Sequence, residues 1–143
     1  MTTTHRPGPG VVAHANHADL CEHLSSLCLH ARIDHQRKVA LGATPYGGIH
    51  HADLLLSGLP GYPHGLAVVA RWQGVSGSAD QKLSYLLESI FDAGVPTIIV
   101  LDGAAWQEHH WSYLSRKIDG PYFGALDVEA FEALLAAAKR ASW

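Results

Sequence analysis

The chain has 143 residues, which is the length of one domain, and no single residue type or repeat dominates its composition. Its formal net charge is −3, from 10 lysine and arginine residues against 13 aspartate and glutamate residues. This balance argues against a broad nucleic-acid-binding surface, so any basic face has to be local. The longest apolar run is far shorter than the roughly 20 residues of a membrane-spanning helix, and we therefore expect no membrane contact.

The N-terminal segment lacks the apolar stretch of a secretory signal. We expect residues 1–15 to form a flexible tail, residues 16–143 to form a single domain, and the protein to lie in the cytoplasm. Cys21 and Cys28 fall in a helical pattern whose rise separates their Cα atoms by roughly 10 Å, too far for a disulfide. We expect both to be buried free thiols.

The first half of the chain predicts one helix and three strands. A helix is expected over residues 17–31, because Asn16 is suited to cap it and an apolar stripe follows at helical spacing. Strands are expected over residues 38–41, 49–56 and 66–73, separated by loops rich in glycine and proline. The loops favour an antiparallel meander of these three strands.

The second half predicts a helix over residues 79–92 and then the strand TIIVL over residues 97–101. A wholly apolar strand is typical of a parallel sheet, and parallel pairing requires a crossover such as this helix. Two further helices are indicated by apolar residues at helical spacing, and Asp127 is suited to cap the second. These residues are Trp111, Leu114 and Ile118 for the first helix, and Phe131, Leu134, Leu135 and Ala138 for the second. The first six elements therefore have the order αβββαβ, a mixed sheet flanked by helices.

The segment from Arg71 to Lys82, RWQGVSGSADQK, is similar to the pattern K-W-Q-x-V-S-G-[ST]-A-x-x-K. Together with the order of elements, Asp53 and the downstream PTIIVLDG, it resembles the PD-(D/E)XK nuclease core of restriction endonucleases, over residues 19–117. The resemblance implies an α/β restriction-endonuclease-like fold, DNA as the partner, and Mg²⁺ or Mn²⁺ as the cofactor. It also implies phosphodiester hydrolysis, in which carboxylates hold the metal ion and a lysine steadies the attacking water.

Transferred residue by residue, the resemblance assigns the metal-binding aspartate to Asp53, the lysine to Arg71 and the following glutamine to Gln73. The acid of the D/E-x-K triplet falls on Val69, which has no metal-binding group. Arg71 keeps the positive charge but is not a proton-transfer base, because the pKa of an arginine lies above about 12. Strand alternation predicts that Arg71 and Gln73 lie on Asp53's side of the sheet and line one cleft with it, with Trp72 pointing oppositely into the core.

Some members of this superfamily carry the missing acid on the helix after the third strand, where this chain has Asp80 and Glu88. Glu88 is the better candidate by helical phase, with a solvated surface residue as the alternative. Asp80 lies in the first turn, where a role at the helix dipole is equally consistent. Lys82 is predicted to contact DNA phosphate or to cover the helix surface. Glu22 takes the place of an acid that some members carry on the first helix.

Histidines give a weaker indication of a metal site. His51 and Asp53 share a strand face, and such a pair is able to bind a transition metal. His109 and His110 open a predicted helix, where we expect a surface role.

These observations lead to the hypothesis of a metal-dependent DNA endonuclease-like domain. Asp53, Glu88, Arg71 and Gln73 would face the scissile phosphate, and Asp53 and Glu88 would hold the metal ion. The rival hypothesis is a catalytically inactive relative that binds DNA or another protein, which the loss of the triplet acid and lysine favours. A histidine-based metalloprotein unrelated to nucleases is the third. A homodimer is compatible with the first, because cutting both strands takes two sites.

Overall fold

The computed structural model describes residues 14–74 and 79–141. Within these ranges the chain forms helices and strands with the following bounds. They are α1 (His17–His30), β1 (His35–Ala43), β2 (Ile49–Leu56), β3 (Leu66–Trp72), α2 (Ala79–Ala93), β4 (Thr97–Asp102), α3 (Glu108–Arg116), β5 (Tyr122–Leu126) and α4 (Val128–Ala141).

The strands form one sheet in the order β1-β2-β3-β4-β5. β2 pairs antiparallel with both β1 and β3, whereas β4 pairs parallel with both β3 and β5. The parallel pairs follow from the helices α2 and α3, each of which returns the chain to the same end of the sheet. The predicted meander and the parallel strand TIIVL are confirmed, and so is the α/β fold with a mixed sheet flanked by helices.

The sheet separates two hydrophobic cores. α1 and α4 cover one face, where Leu20, Leu24 and Phe131 are fully buried, and α2 and α3 cover the other. Consecutive residues of β3 divide between the two faces, since Val68 lies in the first core and Val69 in the second. Alternation therefore directs position 71 toward the α2 face and position 72 toward the α1 face. Trp72 packs against the first core, as predicted.

Side-chain caps fix two of the helix ends at the predicted places. The Asn16 side chain accepts a hydrogen bond from the Asp19 backbone N–H (2.9 Å) at the start of α1. The Asp127 carboxylate accepts one from the Ala130 N–H (2.7 Å) at the start of α4. The predicted helices over residues 17–31 and 79–92 each end within one residue of the observed bound.

Two predictions of local structure were incomplete. β5 was not predicted, because it is short, contains Gly124 at φ 135°, and is stabilised by pairing with the buried β4. α3 ends at Arg116, so Ile118 lies beyond it, packed against the second core. Cys21 and Cys28 are both buried and free, as predicted.

Part of the predicted N-terminal tail, residues 1–13, lies outside the described residues, and so do residues 75–78 of the family-like segment. His14 is held at the end of β4, where its backbone N–H donates to the Asp102 carboxylate (2.8 Å). No helix in the described ranges has the length and apolar character needed to cross a bilayer.

Candidate functional site

The carboxylate of Asp53 lies between the strands β2 and β3, at the end of their paired segment. Their register runs from Leu56 opposite Leu66 to Leu54 opposite Val68. Immediately beyond it, the Ala70 backbone N–H donates to Oδ2 of Asp53 (2.7 Å). The side chain of Asp53 is thereby fixed between two strands, which is a rigid position for a functional group.

Arg71 lies beside this carboxylate. Its Nη1 is 3.7 Å from Oδ2 of Asp53 and donates to the Ala70 carbonyl oxygen (2.9 Å). Burial lowers the pKa of Arg71 from its usual value, and the nearby Asp53 opposes that shift. The Arg71 side chain remains 38% exposed, so part of the guanidinium is available to an external anion.

Asp53 and Arg71 open into a pocket of about 350 Å³ between the sheet and α2, which we call the arginine pocket. Its lining residues are Thr44, Ile49, His50, His51, Asp53, Arg71, Lys82, Tyr85, Leu86 and Ser89. Gln73 is not one of these residues, but its Oε1 accepts a long hydrogen bond from Nζ of Lys82 (3.5 Å). The structure thus brings Asp53, Arg71 and Lys82 together and links Gln73 to them through the lysine.

His50 is a buried member of the arginine pocket. Its Nε2 has no hydrogen-bond partner within the described part of the chain. Burial lowers the pKa of His50, and the positive charge of Arg71 adds to that shift. A buried polar atom without a partner is uncommon, and it suits a site that receives a polar ligand.

The α1 side of Asp53 carries two residues that sequence reasoning did not assign to the site. His17 Nε2 is 3.2 Å from Oδ1 of Asp53 and 3.4 Å from Sγ of Cys21. Burial, followed by the charge of Asp53 and a hydrogen bond to it, raises the pKa of the Cys21 thiol to about 12. In the sequence, the only indication of this contact was the H-x-x-x-C spacing, which places both side chains on one helix face. The apolar stripe of α1 explains Cys21 as a core residue equally well.

A scan against protein-family models matches residues 11–140 to the PD-(D/E)XK nuclease superfamily domain. The chain belongs to the PD-(D/E)XK nuclease superfamily. No curated protein and no solved structure gave a significant match. The residue-by-residue transfer made from the sequence assigns a second acid to position 69, and Val69 is fully buried in the core under α2.

The other acids considered from the sequence, Glu88 and Asp80 as replacements and Glu22 as a helix-one acid, do not line the arginine pocket of this PD-(D/E)XK domain. Glu88 is exposed on α2 and is not among the residues that line the arginine pocket. Asp80 is bound to His110 Nε2 (2.8 Å), which holds the pKa of that carboxyl below its usual value, and His109 Nε2 is 3.4 Å away. Glu22 is mostly exposed and pairs with Arg37 on β1.

The histidines of the PD-(D/E)XK domain differ from the sequence-based expectation. The surface role expected for His110 was wrong, because this residue is buried and accepts a hydrogen bond from the Gln107 N–H through Nδ1 (2.9 Å) at the start of α3. His109 is exposed, as expected. The imidazole that contacts Asp53 comes from His17 on α1, whereas His51 is exposed at the pocket wall.

Proposed function

We propose that this nuclease-superfamily domain binds the phosphodiester backbone of DNA in the arginine pocket. The main support is the convergence of Arg71 and Lys82 on one pocket that also contains the unpartnered Nε2 of His50. A guanidinium offers paired N–H donors to phosphate oxygens, and the lysine adds a second point charge. The DNA partner and the cytoplasmic location expected from the sequence are part of this proposal.

A local basic site is compatible with the acidic net charge of the chain. Electrostatic binding of DNA depends on the cations that contact phosphates, and each contact contributes about one unit to the salt dependence of affinity. Tyr85, which lines the pocket, stacks on the exposed Tyr46 with ring centroids 5.5 Å apart. An exposed aromatic ring beside a phosphate-binding pocket is a suitable platform for an unpaired base.

The Mg²⁺ ion implied by the superfamily is poorly matched by the residues present. Mg²⁺ requires oxygen ligands, usually carboxylates together with water and substrate phosphate. In the described ranges, Asp53 is the carboxylate of the arginine pocket, and a guanidinium lies 3.7 Å from its Oδ2. The other potential metal ligands next to Asp53 in the described part of the chain are a nitrogen atom of His17 and the sulfur atom of Cys21. The residues present in these ranges therefore do not form a Mg²⁺ site.

Hydrolysis of DNA by this domain is the second candidate function. It is supported by the closeness of Asp53, to which the family resemblance assigns the metal-binding role, to the guanidinium of Arg71, 3.7 Å from Oδ2. If hydrolysis occurs, a homodimer would supply the two sites needed to cut a duplex. A plasmid-nicking assay with Mg²⁺, Mn²⁺ or Zn²⁺, on the native chain, Asp53→Ala and Glu88→Gln, separates the two candidates. Hydrolysis is supported if the native chain cuts the plasmid and Asp53→Ala does not. A purely binding domain is supported if the native chain binds DNA without cutting it.

The binding proposal is tested by fluorescence anisotropy with labelled duplex, branched and single-stranded DNA, in the presence of EDTA. Arg71→Ala should weaken binding and reduce the slope of log K against log salt by about one, whereas Arg71→Lys should retain most of the affinity. Lys82→Ala should have a smaller effect in the same direction. The matched control is Arg140→Ala, which removes an exposed cation from α4 on the opposite face of the sheet. Equal losses for Arg140→Ala and Arg71→Ala would contradict the proposal.

A further inference from the structure

Three potential metal ligands converge where α1 meets β2, next to the arginine pocket. They are His17 Nε2, Cys21 Sγ and a carboxylate oxygen of Asp53, and these atoms lie within 4.8 Å of one another. An imidazole nitrogen, a sulfur and one carboxylate oxygen form a donor set for a borderline transition metal, because Mg²⁺ prefers oxygen ligands alone.

The separations of these atoms agree with a tetrahedral site. Zinc binds histidine nitrogen at about 2.0–2.1 Å and cysteine sulfur at about 2.3 Å, so a tetrahedral angle requires N···S of about 3.6 Å and N···O of about 3.4 Å. His17 Nε2 is 3.4 Å from Sγ of Cys21 and 3.2 Å from Oδ1 of Asp53. Each distance is within about 0.2 Å of the value that such a site requires.

The protein also holds the ligands in a fixed arrangement. His17 and Cys21 occupy positions i and i+4 of α1, so both side chains lie on one helix face, and both come close to Asp53 of β2. The Ala70 N–H donates a hydrogen bond to Oδ2 of Asp53, and the other oxygen, Oδ1, faces His17. Such a hydrogen bond to the outer atom of a ligand is the usual means of orienting a metal-binding side chain.

A second group of three side chains, Asp80, His109 and His110, serves as a comparison. There, His110 Nδ1 accepts a hydrogen bond from the Gln107 N–H, so the neutral ring carries its proton on Nε2 and donates it to Asp80. The nitrogen that faces the other two ligands is therefore occupied by a proton. The hydrogen bonds of Asp80 and His110 therefore explain this group as a contact between α2 and α3, without a metal ion.

We propose that His17, Cys21 and Asp53 form a binding site for one divalent transition-metal ion of the zinc class, with a fourth coordination position open. Three protein ligands and one open position are typical of zinc sites that bind water or substrate. The His17 side chain is 50% exposed, which gives a metal ion access from solvent. The site shares Asp53 with the arginine pocket but does not depend on the DNA-binding proposal.

Binding of the ion exchanges a proton for a metal bond. The Cys21 S–H bond is broken, the proton goes to solvent, and the thiolate donates an electron pair to the metal, with no change in oxidation state. The ligands then carry two negative charges, which balance the ion. Arg71 lies 3.7 Å from Oδ2 of Asp53 and lowers the affinity by repulsion.

The test uses the full-length chain, reduced and freed of metal with EDTA, and titrated with Co²⁺. One equivalent should produce a thiolate-to-cobalt charge-transfer band and the visible absorption of four-coordinate cobalt, and Zn²⁺ should displace it. Cys21→Ser should remove the charge-transfer band, and His17→Gln and Asp53→Asn should weaken binding at least about tenfold. The matched controls are Cys28→Ser, which changes the other thiol of α1, and His109→Gln, which changes the comparison group.

Circular dichroism establishes that each variant is folded before the titration. The exposed His17→Gln provides a readout even if Cys21→Ser does not fold, because it removes a ligand without changing the core. Three results would overturn the proposal. They are a charge-transfer band that persists in folded Cys21→Ser, loss of that band in Cys28→Ser, and weak binding of Co²⁺ that His17→Gln does not alter. DNA binding measured in EDTA is unaffected by any of these results, so the two proposals fail independently.

Discussion

Replacement of Asp53 by asparagine should increase the affinity of the domain for DNA in the absence of metal. The expected gain in affinity comes from removing a negative charge next to Arg71. It does not require a new contact between the introduced amide and DNA. In the native chain the carboxylate is 3.7 Å from Nη1 of Arg71. It neutralises the guanidinium and repels the phosphate that the guanidinium would bind. Both effects oppose DNA binding.

The size of the effect follows from the distances. A phosphate oxygen hydrogen-bonded to the guanidinium would lie about 6 Å from the Asp53 carboxylate, given a donor–acceptor distance of about 2.9 Å. Two unit charges at that separation interact by about 0.7 kcal/mol in bulk water and about 3 kcal/mol at an effective dielectric constant of about 20. Since Arg71 is partly exposed, the lower end of this range applies. About 1 kcal/mol corresponds to a roughly fivefold lower Kd.

The substitution should leave the fold intact. The amide oxygen of asparagine is able to accept the hydrogen bond that the Ala70 N–H donates to Oδ2. The lost ion pair with Arg71 is partly exposed, and pairs of this kind contribute less than about 1 kcal/mol to stability. A change in DNA affinity would therefore report on the pocket itself.

The assay is fluorescence anisotropy with labelled duplex DNA in EDTA, at two salt concentrations. Glu132→Gln is the control, because it makes the same change of charge at an exposed position of α4, on the other face of the sheet. An unchanged or weakened affinity in folded Asp53→Asn, or an equal gain in Glu132→Gln, would refute the reasoning.

Further predictions concern stability. The pKa of Asp80 is lowered mainly by its hydrogen bond to His110, so its stabilising effect is present above the ordinary pKa and is lost as the pH falls through the lowered value. Asp80→Asn should therefore reduce the unfolding midpoint at neutral pH, and this difference from the native chain should shrink as the pH falls below about 4 in urea titrations. Gly103→Ala should destabilise the fold by more than about 1 kcal/mol in the same assay, because φ is +101° and the new Cβ would lie 2.3 Å from the Gln73 carbonyl oxygen. Val69→Asp should lower the thermal midpoint by burying a carboxylate, and addition of Mg²⁺ should restore part of the loss only in this variant.

The order of elements was predictable because hydrophobic spacing determines it locally. The apolar stripe of α1 indicates a helix, and the apolar run Ile98 to Leu101 between turn residues indicates the buried strand β4. β5 was missed because it has only five residues, two of which are Gly124 and Ala125, and its extended form depends on pairing with the buried β4. The strand placement of Asp53 and Arg71 followed from the same period-two geometry.

Whether Glu88 faces Asp53 was less predictable, because helical phase depends on how a helix rolls against its sheet. Glu88 belongs to a polar stripe, but α2 turns Lys82, Tyr85 and Ser89 toward the arginine pocket. A polar stripe indicates the solvent-facing side as readily as a site. The contacts of His17 with Asp53 join residues that are distant in sequence, and spacing alone gives no information on such contacts.

The two candidate sites meet at one carboxylate, and this arrangement requires them to be coupled. Oδ1 of Asp53 faces His17, whereas Oδ2 faces the Ala70 N–H and Arg71. If both proposals hold, a metal ion on the Oδ1 side would neutralise the charge that opposes a phosphate on the Oδ2 side. The ion should then raise DNA affinity, and DNA should raise metal affinity by the same factor. If neutralisation is the whole effect, the metal-loaded native chain and metal-free Asp53→Asn should bind DNA about equally. Each should bind up to roughly fivefold more tightly than the metal-free native chain, which is the gain estimated from Coulomb's law. A larger gain with metal would mean that the open coordination position binds the phosphate directly, which would make the ion part of the DNA-binding site.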